Sequence, residues 1–280
     1  MALPPGVNVD VLRLLERHEA LVHTLPGREL RDLGDGVMLF DPRDREPFWN
    51  RLAAISWPSE RRAFQGRLDE AITLFATLDR LPHIWARPAL NEPPDITDRL
   101  VAEGFDLVGE GHVMVLVDRE RARNAVDGDG HIGADATVHW FSGLTGIDAT
   151  EAAIDVATVL NESFRVEPAR QASIELETEV MLGRPELETV LVRVAGEPAA
   201  TARVATMDGL SYLASIGTRP RFQGRGLGRL VTALVTAKAL DAGSRWIHLG
   251  VFADNVNAIR MYEGLGFQRV GTAAPDLLMR

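Results

Sequence analysis

Thr218-Arg219-Pro220-Arg221-Phe222-Gln223-Gly224-Arg225-Gly226-Leu227-Gly228-Arg229 is the stretch on which the reading of this chain turns. The apolar run Leu210–Ile216 leads into it after the Asp208-Gly209 turn and predicts a strand. Beyond it, Leu227, Leu230, Val231, Leu234, Val235 and Leu240 recur at helical spacing, and Gly243 stands where a left-handed cap ends a helix. Strand, glycine-rich turn and helix N-terminus together aim free backbone N–H groups at an anion. The glycines let that anion approach without meeting a Cβ. Arg219, Arg221, Arg225 and Arg229 fall in eleven residues with no acid among them. Such a cluster suits a ligand carrying several phosphates.

Two nucleotide-binding motifs fail here. A Walker A loop needs GxxxxGK[ST], and no Lys-Ser or Lys-Thr is present in the loop. A dinucleotide fingerprint needs GxGxxG, but after Gly224 and Gly226 the required position is Arg229. A second motif lies downstream of a predicted strand, Trp246–Val251. It reads Asn255-Val256-Asn257-Ala258-Ile259-Arg260-Met261-Tyr262-Glu263-Gly264-Leu265-Gly266-Phe267. Asp254 or Asn255 caps a short helix there, Ala258 and Tyr262 stack at i, i+4, and Gly266 ends it before Phe267 enters the next strand.

Gln223 to Gly228 fits Q/R-x-x-G-x-G, and the second segment fits N-x-x-A-x-x-x-Y-E-x-x-G-F. In order and element context, the two motifs resemble those of the GNAT superfamily of acetyl-CoA-dependent N-acetyltransferases over about half the chain. The resemblance implies acetyl-CoA as co-substrate. It places the pantetheine arm along Ile216, Gly217 and Thr218 and the pyrophosphate on Gln223, Gly224, Arg225, Gly226, Leu227, Gly228 and Arg229. The lower arm falls near Asn255, Asn257 and Ala258, with Tyr262 as the acid that protonates the departing thiolate. Many relatives carry a glutamate on the strand before the loop as base. Here that position reads Tyr212, with Ser211 and Ser215 nearby, and no base is assigned. Glu175 and Glu179 share a helix face and are possible substitutes, while His248 reads as a structural histidine.

The N-terminal half reads as a distant copy. At an offset of 162 residues Gly104-Phe105 falls on Gly266-Phe267, and Ile84-Trp85-Ala86 falls on the strand Trp246–Val251. In this register the tyrosine position is Leu100 and the asparagine position Pro93. Phe64-Gln65-Gly66-Arg67 echoes Phe222–Arg225, but lies in a run of continuous helical spacing, so the echo reads as coincidence. The resulting expectation is an α/β (α+β) protein of two GNAT-like domains, each a mixed, mostly antiparallel sheet flanked by helices. Residues 1–120 form the degenerate copy without a cofactor loop, 121–133 a linker, and 134–280 the acetyl-CoA-binding catalytic domain. The tandem plan with one working half is distantly similar to the mycothiol synthases.

Composition sets further bounds. With 280 residues, two domains are expected. The net charge of −10 argues against a nucleic-acid surface. No run reaches the length of a membrane span and no secretory leader is visible, so a cytoplasmic protein is expected. Cysteine is absent, and the seven histidines (18, 23, 83, 112, 131, 139, 248) show no ligand spacing, so no metal is expected. The partner expected is a small-molecule amine; sequence leaves the oligomeric state open. The leading expectation is N-acetyl transfer by direct attack in a ternary complex, since no cysteine exists to carry an acyl group. The alternative is a non-catalytic acyl-CoA-binding or regulatory module.

Overall fold

The computed structural model describes residues 3–87, 93–128 and 135–280. It divides into two compact units. The first comprises Met1–Met114, Gly250–Val256 and Arg269–Arg280, and the second Val115–Leu249 and Asn257–Gln268. Among the described residues no helix is long and apolar enough to cross a membrane.

In the first unit the elements run α1 (Val9–Val22), β1 (Glu29–Asp32), β2 (Val37–Phe40), β3 (Arg51–Ala53), α2 (Arg61–Thr77), β4 (His83–Trp85), α3 (Ile96–Ala102) and β5 (Asp106–Leu116). Asn8 caps α1, its Oδ1 accepting from Val11 N at 2.8 Å. The Glu60 carboxylate caps α2 by accepting from the Arg62 and Ala63 N–H groups. Gly66 lies inside α2, so the Phe64–Arg67 echo of the glycine loop is plain helix. Phe64, Leu68, Ala71 and Phe75 form its buried stripe, at helical spacing, and pack with Trp57, Ile84 and Phe105.

The second unit runs α4 (Arg119–Gly128), β6 (Ala136–Phe141), α5 (Gly146–Ser163), α6 (Pro168–Leu182), β7 (Leu187–Val194), β8 (Glu197–Met207) and β9 (Leu210–Thr218). It continues through α7 (Leu227–Asp241), β10 (Trp246–Phe252), α8 (Val256–Gly264) and β11 (Phe267–Arg269). β12 (Ala274–Leu278) returns to the first unit. The second unit's strand order is β10-β9-β8-β7-β6, antiparallel except for the parallel β9–β10 pair. The first unit's order is β1-β2-β3-β4-β12-β5, with β3–β4 its parallel pair. Both sheets are mixed and mostly antiparallel.

The repeat of plan reaches the backbone itself. Gly104 after α3 and Gly266 after α8 both adopt φ +96°, a left-handed exit from a short helix. Phe105 and Phe267 follow them into the core at 2% and 1% exposure. A Cβ on Gly266 would stand 2.6 Å from the Asp118 carbonyl oxygen, so close backbone approach requires glycine there.

Two expectations need correction. Arg119–Gly128, in the segment expected to be a linker, is helix α4; residues 129–133 of that segment lie outside the described residues. The units do not part at one point in the chain, because 269–280 completes the first unit and 115–120 belongs to the second. β12 inserts between β4 and β5, pairing Leu277 with Ile84 on one side and Leu107 on the other. Thr145 is the N-cap of helix α5, and Thr150 Oγ1 donates to Glu179 Oε1 at 2.8 Å.

Candidate functional site

Strand β9 carries an irregularity that its sequence conceals. Against β8, Arg203 faces Ala214 and Thr201 faces Gly217, so three steps on β9 oppose two on β8. This is a β-bulge, and Ser215 sits in it at φ +53°. Pairing of β9 with β10 runs from Leu210↔Trp246 to Leu213↔Leu249. Past the bulge, Gly217 and Thr218 pair with Thr201 and Ala200 of β8, and the other edge of Ile216–Thr218 has no strand partner among the described residues. An unpaired strand edge next to a bulge offers backbone donors and acceptors to an extended ligand.

The glycine loop follows directly. Pro220–Phe222 makes one 3-10 turn, with Phe222 buried beneath the guanidinium groups of Arg219, Arg221 and Arg225 at 5.9, 4.9 and 5.5 Å. Gln223 Nε2 donates back to Thr218 O at 3.2 Å. Gly224 and Gly226 have φ +77° and +78°, and a Cβ on either would meet nothing within 4 Å. Gly226 is the N-cap of α7 and supplies no side-chain acceptor to the first-turn N–H groups. Open space before uncapped helix N–H groups is what a pyrophosphate requires. Gly228 differs, since a Cβ there would stand 3.3 Å from the Thr218 hydroxyl.

The arginines are not equivalent. Arg219 bonds Glu162 of α5 at 2.5 Å and the Pro198 carbonyl at 2.9 Å, and Arg221 pairs with Glu197 of β8. The acid-free run in sequence therefore meets acids from two distant segments. Arg225 is exposed and has no ion pair among the described residues. Arg219 holds the Glu162 carboxyl below the usual carboxylate range, mainly through the hydrogen bond.

Asn255 and Asn257 are exposed at the start of α8, and Ala258 is half-buried. Tyr262 lies one turn on, 6% exposed, with its ring edge-on to Phe267 at 6.3 Å. Burial pushes its phenol well above the ordinary value, so it stays protonated at neutral pH. The hydroxyl has no hydrogen-bond partner among the described residues.

On the strand, Tyr212 stands opposite His248, ring centroids 5.0 Å apart, and both are buried. The sequence reading treated His248 separately and missed this ring pair. Ser211 is consumed by a hydroxyl chain between Thr206 (2.8 Å) and Ser244 (2.7 Å). Glu179 is tied to Thr150, and Glu175 is exposed. No group of three His, Cys, Asp or Glu among the described residues is placed to hold a metal.

Residues 154–267 match the acetyltransferase (GNAT) family, a span covering the bulged strand, the glycine loop and Tyr262. This segment is a GNAT domain. Acetyl-CoA is the co-substrate of that family. A mycothiol acetyltransferase from Nocardiopsis dassonvillei is 48% identical over 52 residues, 19% of this chain and 16% of that protein. The chain thus aligns with a small part of that relative's length. A GCN5-related N-acetyltransferase from Kribbella flavida superposes with TM-score 0.65 at 22% identity, covering 99% of this chain and 96% of the other. A tandem GNAT protein from the clavulanic acid biosynthesis pathway superposes with TM-score 0.59 at 16% identity, over 99% and 88%. These two likenesses extend the GNAT fold over the first unit as well.

Proposed function

We propose that the chain is an N-acetyltransferase that moves acetyl from acetyl-CoA to a primary amine of a small molecule, by direct attack in a ternary complex. The observation that carries this is the adjacency, in one unit, of the bulged β9 edge and the open Gly224–Gly226 turn at the start of α7. In this reading Gln223 through Arg229 bind the pyrophosphate through backbone N–H groups, with Arg225 adding charge. Ile216, Gly217 and Thr218 pair with the pantetheine amides, and an N–H beside the bulge steadies the carbonyl oxygen as negative charge develops on it. Asn255, Asn257 and Ala258 contact the lower arm of CoA. The neutral amine nitrogen forms the new C–N bond, the C–S bond breaks, and Tyr262 gives its proton to the leaving sulfur; the proton shed by the nitrogen passes to solvent water, which returns one to the Tyr262 phenolate. The N-terminal half, in which helix α2 stands at the loop register, holds no second acetyl-CoA site. A soluble cytoplasmic enzyme fits this chemistry.

A second reading, a non-catalytic acyl-CoA-binding module, is favoured by one observation. Tyr212, in ring contact with His248, stands at the strand position where the family resemblance implies a glutamate base. An amine library scored for CoA release decides between them. The chain contains no cysteine, so released thiol is read without background from the protein. Acetyl-CoA binding with no release across the library would leave the module; release with one amine class establishes transfer and names the acceptor. A mycothiol synthase-like activity predicts release with an amino-sugar acceptor.

A further inference from the structure

Gly217 is a glycine for want of space rather than for backbone shape. Its φ lies outside the left-handed region, so an L-residue carries no φ penalty there. A Cβ, however, would stand 2.9 Å from Ser163 Oγ and 3.0 Å from Ser163 Cβ, with Phe164 Cε2 at 3.8 Å. Carbon atoms settle about 3.5–4.0 Å apart. The end of α5 therefore rests on the bare backbone of β9, with no room for a methyl group between them. Gly217 is also the middle residue of the open edge Ile216–Thr218, just past the bulge at Ser215.

Other contacts converge on the same corner. Glu162 precedes Ser163 on α5 and holds Arg219, two residues beyond Gly217. Gln223 Nε2 donates to Thr218 O at 3.2 Å, and the Thr218 hydroxyl would lie 3.3 Å from a Cβ on Gly228 of α7. On the β8 side Gly217 is paired with Thr201. The Ser163 hydroxyl is buried and bonds to nothing among the described residues, so what it contributes at this corner is shape. A strand edge that meets a ligand's amides needs such a support. An N–H···O bond of about 2.9 Å is lost by about 3.6 Å, so a shift of well under 1 Å is enough to break it.

We propose that Ser163 is a positioning residue for acetyl-CoA: seated on Gly217, it fixes the height of the Ile216–Thr218 edge along which the pantetheine arm pairs. This rests on the reading that places the arm on that edge. Alanine at 217 forces helix and strand apart by roughly 0.5 Å to relieve the contact, and the edge moves out of reach of the ligand's amides.

The test is calorimetric titration of the full chain with acetyl-CoA, with thermal midpoints recorded alongside. It compares wild type, Gly217→Ala, Ser163→Gly and the double variant. Affinity should fall roughly tenfold in Gly217→Ala, as for the loss of about one hydrogen bond. The double variant, in which Ser163→Gly clears the space for the new methyl, should bind within about twofold of Ser163→Gly alone. A contact that serves packing only would lower the midpoint in Gly217→Ala and leave affinity at the wild-type value, which would overturn the proposal. Weakened binding that Ser163→Gly fails to restore would overturn it too, since the effect would not then pass through Ser163. Ser163→Val applies the same pressure from the helix side and decides the matter if Gly217→Ala does not fold. Its affinity should drop several-fold, and a wild-type value would sink the proposal. Absence of acetyl-CoA binding in the wild type is a separate outcome, which removes the ligand reading itself and this inference with it.

Discussion

Arg219 Nη2 donates to Glu162 Oε1 across 2.5 Å, fastening the mouth of the glycine loop to the last turn of α5. The Glu162 carboxyl is held below its ordinary value, so its contribution is present above that value and lost as pH falls through the lowered one. The Glu162 side chain is 42% exposed, which screens the pair and limits it to below about 1 kcal/mol. Glu162→Gln should lower the thermal midpoint slightly at neutral pH, and the gap from wild type should close in acid. An equal gap at both ends of the pH scan would remove the ion pair from the account.

Gly226→Ala should weaken acetyl-CoA binding by more than strain explains. An L-residue at φ +78° costs about 1–2 kcal/mol of stability. Gly196→Ala is the matched control, with φ +82°, open surroundings and a position in the turn between β7 and β8. Calorimetry should show affinity falling in Gly226→Ala alone, while both variants lose similar stability. Equal affinities would take the loop out of the site.

Replacing Tyr262 by Phe removes one hydroxyl and keeps the ring against Phe267. Fold and acetyl-CoA affinity should survive. A positioned general acid is worth roughly 10²–10⁴-fold, and the loss should fall on kcat rather than KM. The deficit should shrink with an acyl donor whose thiol is more acidic. Near wild-type kcat would reduce Tyr262 to packing.

Leu277→Ala should destabilise the first unit, although the residue lies in β12, beyond the whole transferase segment. Leu277 is fully buried in the cluster that holds Trp57, Phe75 and Ile84. A buried Leu→Ala change costs about 2–5 kcal/mol. Hydrogen exchange should report faster opening of β4 and α2 than in wild type. Protection unchanged there would mean that β12 is dispensable to that core.

Much of the second unit was legible because its signals are local. Leu227 to Leu240 gave α7 its period, and Gly226 and Gly243 took the left-handed φ values that only glycine adopts easily. The bulge at Ser215 was hidden, since a serine at positive φ leaves no mark in composition. The acids that engage Arg219 and Arg221 come from α5 and β8, and the Tyr212–His248 contact joins strands separated by α7. Such pairings depend on register, which a single sequence does not display. α4 was passed over because its charged stretch lacks an apolar period; only Ala122 and Ala125 are buried among the side chains described there.

The placement of β12 between β4 and β5 bears on how the protein is made. Domains ordinarily fold in the order in which they leave the ribosome, the N-terminal one first. Here β4 and β5 emerge early but face a gap whose filler is translated only after the entire transferase segment. Until then both strands expose unpaired edges of the kind that invite association between nascent chains. The second unit carries its loop, its helix α7 and its parallel strand pair in one contiguous stretch, and is free to fold before the first is closed. The sheet of the first unit can therefore be completed only after the transferase segment has been translated, and expression yield should respond to whatever shields that early gap.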